Sequence, residues 1–314
     1  MNDDGQPTTW ERGMLERLLR DTLIEQRRAR RWRIFSRILT VFVFLAVLGL
    51  LRTNVTVPQV ASRHTALVQL NGIIAPGTDA DADLVIQSLR AAYDNTHVAG
   101  VVLRIDSPGG SPVQAGRIND EIRRLRTLHP RVPLHAVIND ICASGGYYVA
   151  VAADRIYADK ASVVGSIGVL MNGFGFVEAL DKLGIERRLL TAGAHKGFLD
   201  PFSPQNPEDL AHARELLASI HSQFIDVVRQ GRGERLKDDP RLFSGLVWTG
   251  AQGIEMGLVD ALGDADSVAR DVFKAEKLVD YTVQPAYFER LIRGAGSEAA
   301  SAVLNTVSNG LRWR

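Results

Sequence analysis

Cysteine is nearly absent from the chain. Cys142 is the one thiol in 314 residues, which excludes an intrachain disulfide and any multi-cysteine metal site. It sits at the end of an apolar run, so it reads as a buried structural thiol rather than a nucleophile. Clustered metal ligands are missing too, and neither a metal nor another cofactor is expected. Charge of one sign is not in excess: 37 Lys and Arg stand against 36 Asp and Glu, a formal net charge of +1. Nothing there provides the basic face that nucleic acid requires. No internal duplication is evident. What remains is an ordinary globular composition, 46% hydrophobic and 23% charged, long enough for one large core or two modest ones.

Long apolar stretches are also scarce, with one exception near the N-terminus. After a mixed-charge opening, the chain reads R-R-A-R-R-W-R from Arg27 to Arg33 and then turns apolar over 34–51, broken by Ser36, Arg37 and Thr40. As a helix this stretch would reach roughly 27 Å, near the lower limit for a bilayer span, with Arg37 able to snorkel toward the basic end. It is expected to be a single-pass transmembrane anchor in contact with lipid. The basic flank would keep 1–33 in the cytoplasm and send the rest across to the outer side of the membrane. A cleaved signal peptide has the same order of parts, but the residues after Leu51 offer a poor small-x-small site.

Beyond a linker over 52–64, strand and helix patterns alternate. Strands are expected at 65–72, 101–106, 133–139, 155–158, 186–190 and 258–262, with an extended, glycine-bent stretch at 162–169. Helices are expected at 83–95, 112–128, 144–153, 177–183, 207–230, 249–256 and 264–276. Such alternation predicts an α/β domain with much parallel pairing and right-handed crossovers. The tail over 286–314 carries Val303, Leu304, Val307 and Leu311 at helical spacing, a stripe suited to packing rather than chemistry.

Two strand-to-helix corners stand out. At Ala143-Ser144-Gly145-Gly146 a serine lies between a strand end and a helix start. Its hydroxyl would be exposed and the following N–H groups free, as a nucleophile with half an oxyanion hole requires. The alternative is a serine that only caps the helix. At Ser107-Pro108-Gly109-Gly110-Ser111-Pro112, Ser111 fits an N-cap, Pro112 the first helical position, and Gln114 the return bond of a capping box. Gly109 and Gly110 would then present backbone N–H groups ahead of a helix. This loop has neither the G-x-x-x-x-G-K-[ST] nor the G-x-G-x-x-G pattern of phosphate binding. A third segment, T-A-G-A-H-K-G-F-L-D-P-F-S-P over 191–204, is rich in turn residues and holds one amine, Lys196.

D-S-P-G-G at Asp106 to Gly110, A-S-G-G-Y-Y at Ala143 to Tyr148, and G-x-x-K-x-x-x-x-P-F from Gly193 to Phe202 together resemble the bacterial signal peptide peptidase A (SppA) family, in its short single-domain form. Gly-Ser-Ile-Gly at Gly165 to Gly168 is similar to a fourth motif of that family. The resemblance implies a ClpP/crotonase-like fold of repeated ββα units over 65–285, and a serine endopeptidase acting on signal-peptide remnants or other membrane peptides. It implies Ser144 as nucleophile and Lys196 as general base, Gly110 and Gly145 as oxyanion donors with Gly109 beside them, and Ser166 as a hydroxyl that helps hold the lysine. It further implies a homo-oligomer, in related proteins an octamer, whose sites draw Ser and Lys from adjacent copies. A free lysine titrates near about 10.4, so such a base must be desolvated, for which Phe198, Leu199 and Phe202 are at hand while Asp200 would oppose. His195 is the rival base, although the nucleophile lacks G-x-S-x-G, and His135 suits a structural role. An acyl-CoA hydratase-like enzyme on the same fold, or a non-catalytic membrane scaffold, are the alternative functions.

Overall fold

The computed structural model describes residues 28, 30–44 and 61–284. The chain divides into two compact units, 1–56 with 285–314, and 57–284. Of the first, a helix α1 over 30–44 is described. Its hydroxyls turn back on the backbone, Ser36 Oγ donating to Arg33 O at 3.1 Å and Thr40 Oγ1 to Ser36 O at 2.8 Å, so they cost the helix little. Among the described residues no helix is long and apolar enough to cross a membrane. The span expected over 34–51 continues into 45–51, which lie outside the described residues, as does the tail helix over 286–314.

The second unit is built on strands β1 (His64–Asn71), β2 (Val98–Ser107) and β3 (Leu134–Ala143). All three pair in parallel. The crossovers are α2 (Ala82–Asp94) and α3 (Pro112–Leu128). Short elements follow: α4 (Gly145–Ala150), β4 (Arg155–Ala158), β5 (Val163–Gly165) and α5 (Val177–Lys182). After these come the long α6 (Pro207–Arg232), β6 (Val247–Thr249), α7 (Gly250–Met256), β7 (Ala261–Leu262), α8 (Ala265–Ser267) and β8 (Leu278–Asp280). The sheet runs β6-β5-β3-β2-β1-β8, with β4 and β7 branching from β3. Every pairing is parallel except β5 with β6.

Strand alternation feeds two cores. Ala66, Val68 and Leu70 of β1 and Val101, Leu103 and Ile105 of β2 join the larger cluster. Leu67, Val102 and Val137 point the other way, onto Tyr157 and Phe273. Strands buried on both faces explain the near-continuous apolar runs in the sequence.

Four expectations are corrected. Residues 186–190 form no strand: the segment is exposed coil, and the ion pairs of Arg187 with Asp200 and Arg188 with Glu186 take the place of a neighbouring ladder. The helix expected over 264–276 ends early, as α8 and a π-helical turn over Val268–Val272. The Phe273 ring then packs where Gly100 has no side chain, and the chain leaves to add β8 to β1. The strand expected over 258–262 shrinks to Ala261–Leu262. Finally, the capping box of α3 is half formed. Ser111 accepts from Gln114 N, but Gln114 Oε1 accepts instead from Ala82 N at 3.0 Å, tying the start of α2 to α3.

Candidate active site

β3 changes partner along its length. His135 to Ile138 pair with β4, whereas Ile141 to Ala143 pair with β5. The ladder to β2 slips between Ile105 and Ser107. This bend delivers Ser144 to a corner with φ 51° and ψ −120°, a region that side chains other than glycine rarely occupy and that costs of order 1–3 kcal/mol. The corner is held from both sides, by Ser144 N donating to Gly165 O at 2.8 Å and Tyr148 N to Ser144 O at 2.9 Å. Its hydroxyl makes no capping bond to α4, which removes the purely structural explanation for the serine.

The glycine loop after β2 lies against this corner. A side chain on Gly109 (φ 103°) would meet Gly145 N and Ser144 Cβ, both at 2.7 Å; one on Gly110 (φ 150°) would meet Ile74 O at 2.2 Å. Both residues must therefore be glycine. Gly110 N lies 3.2 Å from where a Gly145 side chain would start, so the two peptide groups adjoin. Neither the Gly110 nor the Gly145 N–H donates to an acceptor among the described residues. Ser107, a residue with no role in the sequence expectations, fixes the loop: its Oγ donates to Gly72 O at 2.6 Å and accepts from Gly109 N at 3.1 Å. Ile74 completes the brace, donating to Gly109 O and accepting from Ser111 N. A small residue before the Pro-Gly-Gly was the only hint of it in the sequence.

Ser144, Gly145, Gly110 and Ser166 line one cavity of about 1020 Å³, with Tyr148, Ile220 and Phe224 among the walls. Ser166 is a second strained corner, at φ 52°, its N–H donating to Leu246 O at 2.7 Å. Thus the structure brings together Ser144, Ser166, Gly109, Gly110 and Gly145. It does not bring Lys196 to them within one chain. Lys196 is exposed, on a turn closed by its own N–H to Gly193 O at 3.2 Å, and is not among the cavity's lining residues. The apolar pocket expected from its neighbours does not close in the single chain, where Phe202 is 40% exposed. Asp200 is occupied elsewhere, accepting from Ser203 Oγ at 2.6 Å and from Arg187. His195 also lies outside the lining, its Nδ1 2.6 Å from Asp209 Oδ1 on the first turn of α6. Cys142 is buried and burial pushes its thiol up, as a structural thiol should behave.

Residues 126–280 match the model of Peptidase family S49. The chain is 41% identical over 242 residues to a Na(+)/H(+) antiporter NhaA of Brucella abortus, covering 75% of this chain and 33% of that protein. It is 30% identical over 198 residues to a protein of Enterococcus faecium named for signal peptide peptidase SppA, covering 63% and 57%. With the chloroplastic serine protease SPPA of Arabidopsis thaliana it shares 29% over 189 residues, covering 60% and 28%. The chain spans less than two thirds of the length of each of these relatives.

Proposed function

The chain belongs to the SppA-type members of Peptidase family S49, and on that premise we propose that it is a membrane-anchored serine endopeptidase. Its substrates are peptides left in or near the membrane, signal-peptide remnants among them, and its fold is the ClpP/crotonase-like one. One observation carries the proposal: Ser144 is held at a strained φ of 51°, its hydroxyl making no capping bond at the wall of a cavity, beside two glycine N–H groups that have no acceptor among the described residues.

In the reaction, Ser144 Oγ attacks the scissile carbonyl carbon as a neutral Lys196 amine takes its proton. The developing oxyanion accepts from Gly110 N–H and Gly145 N–H, whose geometry is set before substrate arrives. The lysine returns the proton to the leaving amine, and water then hydrolyses the acyl-enzyme by the same route. Because Lys196 stands exposed on a turn outside its own chain's cavity, the dyad forms between copies, with the lysine of one reaching the serine of the next. Exposed apolar side chains on the same segment favour such an assembly, Phe174 being 81% and Leu190 96% exposed. Residues 34–51 anchor each copy, and the basic stretch before them keeps the peptidase domain on the outer side of the membrane.

A fluorophosphonate probe tests the assignment. Wild type should label, Ser144→Ala and Lys196→Ala should not, and His195→Ala should keep most of the signal. Loss of labelling in His195→Ala with retention in Lys196→Ala would transfer the role of base to the histidine. A folded wild type that does not label would favour a non-catalytic scaffold.

A further inference from the structure

Helix α3 contributes Val113, Gly116, Arg117 and Asp120 to the cavity wall, the i, i+3, i+4, i+7 stripe of one helix face. Its charges are not equally free. Arg117 Nη2 donates to Asp83 Oδ1 at 2.5 Å. The next arginines along the helix are engaged as well, Arg123 Nε with Asn119 Oδ1 at 2.8 Å and Arg124 with both oxygens of Glu121. Asp120 alone of this group has no hydrogen bond or ion pair among the described residues. Its charge is felt at Tyr148, a neighbour in the lining, whose phenol is held up by burial and then by this carboxylate. Asp120 is exposed to solvent, and the same lining holds the apolar Val169, Leu170, Ile220 and Phe224 together with Gln223 and Ser244. A cavity with a largely apolar lining and one carboxylate that has no ion-pair partner among the described residues matches a side chain with an apolar stem and a cationic head.

We infer that Asp120 is a specificity-determining residue that selects peptides carrying a Lys or Arg side chain, seated with its stem on the apolar walls and its charge against the Asp120 carboxylate. The inference rests on the reading of this cavity as the peptide cleft of a serine peptidase. It adds to that reading a preference among substrates, which neither the serine corner nor the glycine amides supply.

The test uses the full chain in detergent and matched fluorogenic peptides in which one position at a time on the acyl side is Lys, norleucine or Glu. Wild type should prefer Lys over norleucine at one position. There Asp120→Asn should lower kcat/KM for the Lys peptide about fivefold, the size of a partly solvated charge contact, and leave the norleucine peptide unchanged. Asp120→Lys should shift preference toward Glu. Equal losses on all three peptides, or no preference in wild type, would overturn the inference while fluorophosphonate labelling of Ser144 remained. Absence of that labelling in wild type would remove the peptidase reading and the inference together.

Discussion

At Gly110 the space for a side chain is occupied by the Ile74 carbonyl oxygen, 2.2 Å away, and φ stands at 150°. Gly110→Ala must shift the loop beside Ser144 and with it one proposed oxyanion donor. Loss of such a donor costs about 10²–10³ in kcat, and that fall is expected in peptide hydrolysis. Gly116→Ala is the matched control, since it lies on the same cavity wall with nothing within 4 Å; activity should persist and the helix should gain about 0.5–1 kcal/mol. A different kind of residue effect belongs to His135. It is buried between Tyr157 and Phe273 with Nδ1 lacking a hydrogen-bond partner among the described residues, and burial lowers its pKa from 6.5 to about 4. Below 6.5 the unfolded chain takes up a proton that the folded chain refuses, so stability is complete above that pH and declines as pH falls toward 4. The gap corresponds to about 3 kcal/mol. Urea denaturation at pH 7 and pH 4.5 should show His135→Gln losing less stability on acidification than wild type; equal losses would refute the assignment.

Among the elements, α6 is fastened at its C-terminal end by one side chain. Arg232, 2% exposed, donates from Nη1 and Nη2 to the two oxygens of Asp260 at 2.9 Å each and from Nε to Gly257 O at 2.7 Å. Asp260 also accepts from Ile156 N at 2.7 Å, so helix α6, the end of α7 and strand β4 meet at one guanidinium. Arg232→Leu removes the bidentate partner of a half-buried carboxylate and leaves it the longer Arg235 contact at 3.3 Å, which should cost about 3 kcal/mol, seen as a lower denaturant midpoint with an unchanged slope. Nothing in the sequence marks Arg232 for this, because its partners lie 25 and 28 residues on. The central strands and helices were legible, since apolar runs bounded by Pro and Gly are local signals. So was the serine corner, marked by small residues between a strand and a helix. The exposed segment 186–190 reads as a strand because it follows a helix and ends on Leu189 and Leu190, and local sequence does not record whether a ladder partner exists. Strand β8 was missed for the opposite reason: it is three residues long and exists because β1 offers an edge. Lys196 was legible as a residue of interest, but its distance from the serine's cavity depends on tertiary placement that spacing does not encode.

For the molecule as a whole, the segment from Leu170 to Phe202 poses a problem that the described residues of a single copy do not solve. Helix α5 buries none of its residues, and Leu170, Phe174, Leu183 and Leu190 are between 72% and 96% exposed. Leaving so much apolar surface in water is costly at about 25 cal/mol per Å², and the same segment carries Lys196. Covering it with another copy would remove that cost, desolvate the amine and supply the proposed base in one step. This arrangement has a consequence that a dyad within one chain does not share. On the proposed dyad, Ser144→Ala and Lys196→Ala should each be inactive alone, yet in a mixed assembly a Ser144→Ala chain would still offer its lysine to a neighbour that retains its serine. Co-expression of the two variants, or their mixing after reversible dissociation, should therefore restore part of the wild-type rate, whereas separately assembled variants combined without exchange should stay inactive. Mixed assemblies that exchange subunits and still fail to hydrolyse peptide would show that each chain must supply both groups, and the exposed turn would then have to fold back onto its own cavity.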